Sequence, residues 1–399
     1  MENLIAGVAK RDVTPEPGVY LGGYFDRTKA SIGVHDSLFA RALYLSDGKE
    51  NVLFIGTDQL CMCNQVIPGY LSVVREQIES TVGVKSENII IYATHTHSAP
   101  DPFNLSEKNY KYFETLQKEL VKVGVEACNK RYEAILSYAK SKIKVGINRR
   151  NPEGPIDPDL TIVKVSSLNE KPLALLINYA CHAVVLGSNN LLISSDWVGD
   201  LESTLEEKYN PAIAMFLPGA SGNINPRTRD LEEKLKLGHD IYDRTSGSFE
   251  EVKRFALTVV EEVEQALQNE IICRKVKIEN KTTKLKVKIE NEMISKMIGK
   301  DEITTMVSVT KIGDLLIVAL PGEAFVEEGL NLKLMSKYVT IPLTLANDYV
   351  GYLPTEKAFT EGGYEPGVSI GMNGVSKILN TAKELVQEFS SYSSSASKL

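Results

Sequence analysis

The first 270 residues alternate between short apolar runs and longer segments whose apolar residues follow helical spacing. Four runs rich in β-branched and other apolar residues have the length and composition of buried strands: 51–56, 88–92, 173–180 and 212–217. Four segments between and after them are predicted as helices: 70–81, 110–128, 198–208 and 249–268. Because such alternation is typical of α/β proteins, we expect a mixed sheet with helices on both faces.

From residue 270 onward, the pattern changes to strict alternation of polar and apolar residues. The sequence Lys-Val-Lys-Ile-Glu-Asn occurs twice, at 275–280 and 286–291. Each copy is typical of a half-exposed strand, as found in antiparallel sheets with one solvated face. We therefore expect antiparallel strands in the 270–310 region.

The remaining elements and the lack of a linker indicate a single large domain. Strand-like runs at 315–320 and 339–345 flank a segment after Gly322 that is predicted as a helix. No stretch rich in Pro, Gly or Ser separates these regions. The sequence therefore predicts one domain over 1–389, followed by a Ser-rich tail at 390–399.

Composition argues against several classes of partner. The 399 residues carry a formal net charge of −7, with Lys and Arg spread along the chain, so we expect no nucleic-acid partner. No segment has the length and apolarity of a signal peptide or a transmembrane helix. The five cysteines are too few and scattered for a disulfide framework, which predicts a cytoplasmic protein. Cys61 and Cys63 are one residue short of a C-x-x-C metal motif, so buried free thiols are the preferred interpretation.

Two of the five histidines of this chain occur together, in Thr94-His95-Thr96-His97. This motif follows the strand predicted at 88–92. Alternate residues of a strand point to the same side, so we expect both imidazoles to face one side at its carboxyl end. Functional groups of α/β folds concentrate at such ends. A metal site is the first hypothesis, and hydrogen-bonded structural histidines are the alternative.

Further polar groups follow other predicted strands. His182 comes after 173–180, Glu323 comes after 315–320, and a turn rich in Gly and Asn at 219–227 comes after 212–217. Two or three imidazoles with a carboxylate suit zinc, with one position left open for water. Taken singly, each group also has a structural interpretation: a hydrogen-bonded histidine, an acid favoured at a helix start, or a polar turn. His35 and His239 lie in loop-like sequence and are assigned no role.

Together these motifs resemble the neutral/alkaline (non-lysosomal) ceramidase family. The resemblance extends from residue 5 to about residue 375 and rests on short motifs in a fixed order. The motifs are GVAKRDVTP at 7–15, GVHD at 33–36, ARAL at 40–43, THTHS at 94–98, NR at 148–149, CH at 181–182, PGE at 321–323, NDYVGY at 347–352 and GYE at 363–365.

The resemblance implies a single zinc ion, which this family holds with two His, one Glu and one Tyr. Matched motif by motif, the ligands would be His95, His182, Glu323 and Tyr352. The second histidine of the motif, His97, would then be a catalytic residue that transfers a proton or contacts the substrate.

The resemblance also assigns roles to residues around the metal. Arg149 and Tyr364 match family residues that contact the substrate amide or stabilise the oxyanion. Asn225 stands where ceramidases of this family carry a Ser that is required for activity. The sequence shows neither the signal peptide nor the C-terminal β-sandwich domain of secreted ceramidases, so we expect a short form of the family.

The function implied is that of a zinc-dependent hydrolase that cleaves a linear amide of a small molecule or lipid with metal-activated water. Water as nucleophile does not require a Ser at position 225. Two alternatives stay open: an esterase or lactonase that uses the same zinc and water, and a non-catalytic relative that binds a metal or ligand. The sequence also leaves open whether the chain forms a homo-oligomer.

Overall fold

Two β-sheets packed face to face form the centre of the protein. The structure is a computed structural model that describes residues 4–64, 67–104, 106–228 and 247–391. The strands are β1 (Leu4–Asp12), β2 (Gly33–Val34), β3 (Phe39–Ser46), β4 (Asn51–Thr57), β5 (Ile89–Ala93), β6 (Tyr132–Lys142), β7 (Gly146–Asn148), β8 (Asp159–Ser167), β9 (Pro172–Tyr179), β10 (Leu192–Ile193), β11 (Ile213–Pro218), β12 (Ile224–Pro226), β13 (Ile271–Ile272), β14 (Ile278–Lys288), β15 (Glu302–Ile312), β16 (Leu315–Ala319), β17 (Glu323–Ala324), β18 (Val339–Leu343) and β19 (Tyr352–Leu353). The helices are α1 (Tyr70–Val82), α2 (Glu107–Asn129), α3 (Asp196–Lys208), α4 (Phe249–Leu267), α5 (Glu292–Ile298), α6 (Val326–Met335), α7 (Glu356–Glu361), α8 (Tyr364–Gly367) and α9 (Met372–Ser391), with a 3₁₀ turn at Ser86–Asn88. His239 and the tail residues 392–399 lie outside the described residues.

The larger sheet is mixed, as the sequence predicts. Its main path has the strand order β11-β9-β8-β6-β1-β3-β4-β5, and β13 pairs with β6 as the ninth strand. The pairs β4–β5 and β9–β11 are parallel, and the other pairs are antiparallel. Residues of β9 alternate between two cores: Leu175 and Ile177 pack with α3 and α4, whereas Ala174 and Leu176 face the second sheet.

The second sheet has the order β14-β15-β16-β18. Its residues Ile317 and Ile341 pack against the larger sheet, and Val307 and Val318 pack beneath α9. Helices α1 to α4 cover the outer face of the larger sheet, and α6 and α9 cover that of the smaller one. The sequence predicts helices on both faces of one sheet. The structure distributes them over the outer faces of two, because strands of each sheet carry apolar residues on both sides.

The predicted antiparallel strands of the 270–310 region are present, with one difference. The two Lys-Val-Lys-Ile-Glu-Asn copies do not form two strands, because β14 (Ile278–Lys288) runs from the first copy into the second. Its partner is β15, in antiparallel register over the full length of both strands. Residues 281–285 carry no Gly or Pro that would turn the chain, so the extended conformation continues through them.

Helix ends agree with local capping signals. Helix α1 ends at Gly83, which has φ 75° and donates its backbone N–H to Glu79 O. Helix α2 begins three residues before the predicted start, because Ser106 accepts a hydrogen bond from Asn109 N and caps the first turn. No helix among the described residues has both the length and the apolarity needed to cross a membrane.

The segment 344–347, which follows β18, forms hydrogen bonds with the strands at both edges of the larger sheet. Thr344 N donates to Pro218 O at the end of β11, with an N–O distance of 2.9 Å. Asn347 N donates to Ile91 O in β5, at 2.6 Å. This segment therefore brings the carboxyl ends of β5 and β11, the two edges of the larger sheet, to one place.

The packing of Trp197 predicts a large effect on stability. Its fully buried ring lies 5.0 Å from the rings of both Phe216 and Phe255, and its Nε1 donates to His182 O. We expect Trp197→Ala to lower the free energy of unfolding by about 3–5 kcal/mol, measured by urea denaturation. Leu257→Ala, at a position 37% exposed on α4, is the control and should change it by less than about 0.5 kcal/mol. A Trp197→Ala effect as small as that of the control would contradict this account.

Candidate metal centre

Three histidine rings and one carboxylate meet at the carboxyl ends of the sheet strands. Ring nitrogens of His95, His97 and His182 all lie within 4.8 Å of one another. His182 Nε2 lies 3.0 Å from Glu323 Oε2, and His95 Nε2 lies 3.2 Å from the same oxygen. His95, His182 and Glu323 are all buried. The structure therefore unites in one cluster residues from three distant parts of the chain.

A turn, and not the strand, positions His95 and His97. Strand β5 ends at Ala93, and His95 has a left-handed backbone conformation with φ 72°. Its N–H donates to Gln59 O, which holds the turn against the chain beyond β4. The prediction that strand alternation orients both rings is therefore wrong, although the rings do meet. Their centroids are 4.8 Å apart, with the ring planes at 90°.

Backbone carbonyls fix the hydrogen positions on two of the rings. His95 Nδ1 lies 2.6 Å from Leu60 O, and His182 Nδ1 lies 3.0 Å from Ile224 O. Because a carbonyl oxygen only accepts, each Nδ1 carries a hydrogen, and each Nε2 faces Glu323 Oε2. Metal-binding histidines are commonly oriented in this way, through the nitrogen that does not bind the metal.

This arrangement places two hydrogen-bond acceptors in contact. Burial lowers the pKa of His182 to about 4, so its ring is uncharged at neutral pH. Its Nε2 lone pair therefore faces the Glu323 carboxylate without a donor between them. This contact is unfavourable unless a positive charge lies beside the two groups. Imidazole nitrogens and a carboxylate are a donor set that zinc accepts, so these residues fit a zinc ion.

Short strands and a tyrosine hold Glu323. In the parallel pair of β17 and β19, Glu323 is in register with Tyr352. Glu323 N donates to Gly351 O, and Tyr349 Oη donates to Glu323 Oε1 at 2.7 Å. The sequence places Glu323 where a helix starts, but α6 begins only at Val326. Burial raises the pKa of the Tyr349 hydroxyl well above its usual value, which keeps it a hydrogen-bond donor.

His97 differs from the other two histidines. Its Nε2 lies 3.3 Å from His95 Nε2, but its buried Nδ1 has no hydrogen-bond partner among the residues that the structure describes. Gly23 packs against the ring and has φ 97°, and a Cβ at this position would lie 2.3 Å from His97 Cγ. Only glycine therefore fits beside His97.

Arg149 lies behind Tyr352. Its Nε donates to Glu365 Oε1 at 2.9 Å, and its Nη2 donates to Gly222 O at 2.7 Å. Its guanidinium carbon is 5.4 Å from the centre of the Tyr352 ring. Burial lowers the pKa of Arg149, but Tyr352 and Glu365 raise it by more, so the guanidinium stays charged. Tyr364 packs edge-on against Tyr352, at 5.8 Å between ring centroids, and is 43% exposed.

Asn225 lies in β12, next to the residue that anchors His182. The preceding residue, Ile224, accepts hydrogen bonds at its carbonyl oxygen from both N and Nδ1 of His182. Asn225 is paired with Ile147 between β12 and β7, and its side chain is buried. Its Oδ1 has no hydrogen-bond partner within the described part of the chain.

Two supporting residues, Tyr349 and Glu365, received no role from the sequence. Both lie inside motifs already singled out, NDYVGY and GYE, in which only Tyr352 and Tyr364 were assigned a role. Glu365 also accepts from Arg150 Nη1 at 2.8 Å, so one buried carboxylate holds two adjacent arginines. The arginine pair at 149–150 is the signal that predicts a buried acid nearby. Cys61 and Cys63 are buried free thiols, as predicted.

The fold and the cluster define the class of the protein: a mixed α/β protein with a buried histidine and glutamate site of the metal-binding kind at its strand ends. Residues 4–234 match the family model described as neutral/alkaline non-lysosomal ceramidase, N-terminal. The chain belongs to the neutral/alkaline non-lysosomal ceramidase family.

Curated relatives carry the same family name. A neutral ceramidase of Drosophila melanogaster is 30% identical over an alignment of 254 residues that covers 55% of this chain and 36% of that protein. A neutral ceramidase of Pseudomonas aeruginosa is 24% identical over an alignment of 293 residues that covers 67% of this chain and 42% of that protein. The matches thus cover less than half the length of these relatives.

The crystal structure of neutral ceramidase from Pseudomonas aeruginosa superimposes on this chain with a TM-score of 0.78 at 17% identity. The superposition covers 98% of this chain and 75% of that one. The two chains share their fold over nearly all of the present structure.

The Glu365 carboxylate predicts a second effect on stability. Glu365→Ala leaves the guanidinium of Arg149, which is 7% exposed, without its carboxylate partner. We expect a loss of about 3–5 kcal/mol in the free energy of unfolding, measured by urea denaturation, because the buried charge loses its carboxylate partner. Glu361→Ala removes an exposed acid that pairs with Arg150, and should cost less than about 1 kcal/mol. Equal effects of the two variants would contradict the assigned role of Glu365.

Proposed function

We propose that this protein is a zinc-dependent hydrolase that cleaves a linear amide, an N-acyl amine that is ceramide-like or smaller. The observation that carries the proposal is the convergence of His95 Nε2, His182 Nε2 and Glu323 Oε2 on one point. Family membership and the names of the relatives, all neutral ceramidases, support an amide substrate. Tyr352, in register with Glu323, would be the fourth ligand.

A bound zinc would act as a Lewis acid on the amide carbonyl and lower the pKa of water to about 7. The protein's part is to keep the ligand atoms fixed in position. Leu60 O and Ile224 O hold the two ligand rings, and Tyr349 holds the second oxygen of Glu323. Because these partners are already in place, the ligands need little rearrangement when the metal binds.

His97 is the proton carrier in this proposal. Burial lowers its pKa well below the usual value, so the ring is neutral and can accept a proton from the attacking water. Its Nδ1 is not committed to any described residue, unlike Nδ1 of His95 and His182. His97 would then donate the proton to the nitrogen of the leaving amine.

Tyr364 and Asn225 would contact the substrate. Tyr364 is partly exposed beside Tyr352, and its hydroxyl can donate to the oxyanion of the tetrahedral intermediate, a contribution of roughly 3–4 kcal/mol. The charge of Arg149 stabilises the same region through Tyr352. Asn225 Oδ1 can accept a hydrogen bond from the substrate amide N–H, which assigns it a binding role that needs no nucleophilic Ser.

Metal content tests the ligand assignment. Protein purified without chelator should contain about one zinc per chain by elemental analysis. His182→Ala and Glu323→Ala should lose most of this zinc. His35→Ala should keep it, because His35 stacks on Phe249 and pairs with Asp36 outside the cluster. Zinc-free wild-type protein, or full zinc content in both ligand variants, would contradict the proposal.

Hydrolysis tests the activity itself. We expect turnover of N-acyl amines in a panel of varied acyl length, abolished by chelator and restored by zinc. His97→Ala should keep its zinc and lower kcat by about 10²- to 10⁴-fold, since proton transfer contributes that much. Asn225→Ser should stay active, because the proposed nucleophile is water.

Matched esters in the same panel separate the alternatives. Cleavage of esters alone would assign the zinc to an esterase or lactonase. Zinc present without hydrolysis of any substrate would show a binding protein that lacks turnover. Either result would reject amide hydrolysis.

A further inference from the structure

The ring of His97 is held differently from the rings of the two proposed ligand histidines. Backbone carbonyl oxygens fix Nδ1 of His95 and of His182. Nδ1 of His97 has no hydrogen-bond partner among the residues that the structure describes. A proton carrier must nevertheless stay within hydrogen-bond reach of the groups between which it transfers the proton. The orientation of the His97 ring must therefore come from the groups that pack around it.

Tyr24 and Gly23, which follow β1 in the chain, pack against His97. The centroid of the Tyr24 ring lies 4.9 Å from that of the His97 ring, with the ring planes at 65°. Tyr24 Oη donates to Leu186 O at 2.7 Å, which fixes the tyrosine in this position. Gly23 contacts the His97 ring closely enough to exclude a Cβ. Together the two residues leave the imidazole little room to rotate.

Arg27 connects these parts. Its side chain is 8% exposed, and its Nη2 donates to both His97 O and Gly22 O. Its Nη1 donates to Asn190 O at 3.2 Å. The guanidinium carbon also lies 5.1 Å from the centre of the Tyr24 ring. One guanidinium group therefore contacts both the backbone of His97 and the tyrosine that packs against the His97 side chain.

Asn190 extends this connection to the residue after His97. Its carbonyl oxygen accepts from Arg27, and its Nδ2 donates to Ser98 Oγ at 2.9 Å. Ser98 O in turn accepts from Ser194 N at 3.0 Å. Arg27 therefore holds the chain at His97 directly and, through Asn190, also holds the next residue.

Arg27 forms these hydrogen bonds as a cation. Burial lowers its pKa to about 10, against the opposite effect of Tyr24, Asp101 and Asp26, so it is charged at neutral pH. Hydrogen bonds from a charged donor are roughly twice as strong as those between neutral groups. The planar guanidinium presents several N–H groups in a fixed geometry, which a lysine ammonium does not. Arginine is therefore suited to holding three carbonyl oxygens in fixed positions.

We propose that Arg27 is a positioning residue for His97. It fixes the orientation in which His97 Nε2 lies 3.3 Å from His95 Nε2 and the ring can transfer a proton. The inference rests on the proposed role of His97 in amide hydrolysis. The hydrogen bonds of Arg27 described above go to backbone carbonyl oxygens outside the proposed metal ligands, so its replacement should leave zinc binding in place.

Steady-state kinetics of the zinc-loaded Arg27→Ala variant test the proposal. We expect kcat to fall by about 10- to 10²-fold with KM and zinc content little changed, because a displacement of about 1 Å in a catalytic group has an effect of this size. Arg27→Lys keeps a charged donor and should recover part of the loss. Lys29→Ala removes an exposed cation of the same loop and, as the control, should keep the wild-type kcat.

A double variant separates positioning of His97 from a general structural effect. If Arg27 acts through His97, its replacement has no further effect on kcat once the imidazole is absent. Arg27→Ala combined with His97→Ala should therefore have the kcat of His97→Ala alone. A further loss by the factor seen for Arg27→Ala alone would contradict the proposal.

Nuclear magnetic resonance of protein with ¹⁵N-labelled histidines tests the positioning without turnover. His97→Ala identifies the ring signals of His97, and those of His35, which stacks on Phe249 outside the cluster, are the internal reference. In Arg27→Ala we expect the His97 signals to shift or broaden, because the ring adopts more than one orientation, and the His35 signals to stay unchanged. Where circular dichroism shows that Arg27→Ala is unfolded, Arg27→Lys replaces it in both measurements, with changes in the same direction.

The two measurements distinguish failure of this inference from failure of the proposed function. Unchanged His97 signals in the Arg27 variants would overturn the positioning role, even in a protein that hydrolyses amides. Altered His97 signals in a protein without amide hydrolysis would reject the proposed function and still support the positioning of His97 by Arg27.

Discussion

The contact of Glu323 with two imidazoles is the interaction on which the rest of the site depends. A buried carboxylate that faces the Nε2 lone pair of His182 is unfavourable by itself, so the surrounding groups must hold it in place or compensate it. The backbone carbonyls of Leu60 and Ile224 fix the rings, and Tyr349 and the β17–β19 pair fix the carboxylate.

The two-sheet architecture explains how such distant residues meet. His95 and His182 follow strands of the larger sheet, and Glu323 follows β16 of the smaller one. Packing the sheets face to face brings these strand ends to one edge. The segment at 344–347 then bonds to β5 and to the end of β11, which closes the gap between the edges of the larger sheet. The site is thus a product of how layers pack, and no single supersecondary unit contains it.

The sequence predicts the separate elements well because their signals are local. Hydrophobic runs identify β4, β5, β9 and β11 to within a residue or two, and Gly83 identifies the end of α1. The packing of the two sheets has no such local signal. The alternation of polar and apolar residues in β14 and β15 predicts an apolar face, but it does not show which element packs against that face. For the same reason the repeated hexapeptide was resolved only by the structure, which shows that the residues between its copies stay extended.

In the candidate site too, some features can be predicted from local sequence signals and others depend on tertiary contacts. Residue types and strand ends suffice to propose His95, His182 and Glu323 as one group. The left-handed turn at His95, the role of Tyr349 and the double contact of Glu365 depend on tertiary hydrogen bonds, which have no signature in hydropathy. The separate roles of His95 and His97 come from the family resemblance. The difference between their Nδ1 partners supports that division.

The spacing of these residues along the chain has a consequence for biosynthesis. Glu323 lies 141 residues after His182, in strand β17, which follows β16 of the second sheet. A nascent chain that has exposed only its first 300 residues carries all three histidines but not the carboxylate. Binding of a metal by the proposed ligands His95, His182 and Glu323 would therefore require that the C-terminal layer has emerged from the ribosome and packed. Until then the imidazoles lack this carboxylate, so the order of translation would delay formation of the proposed site.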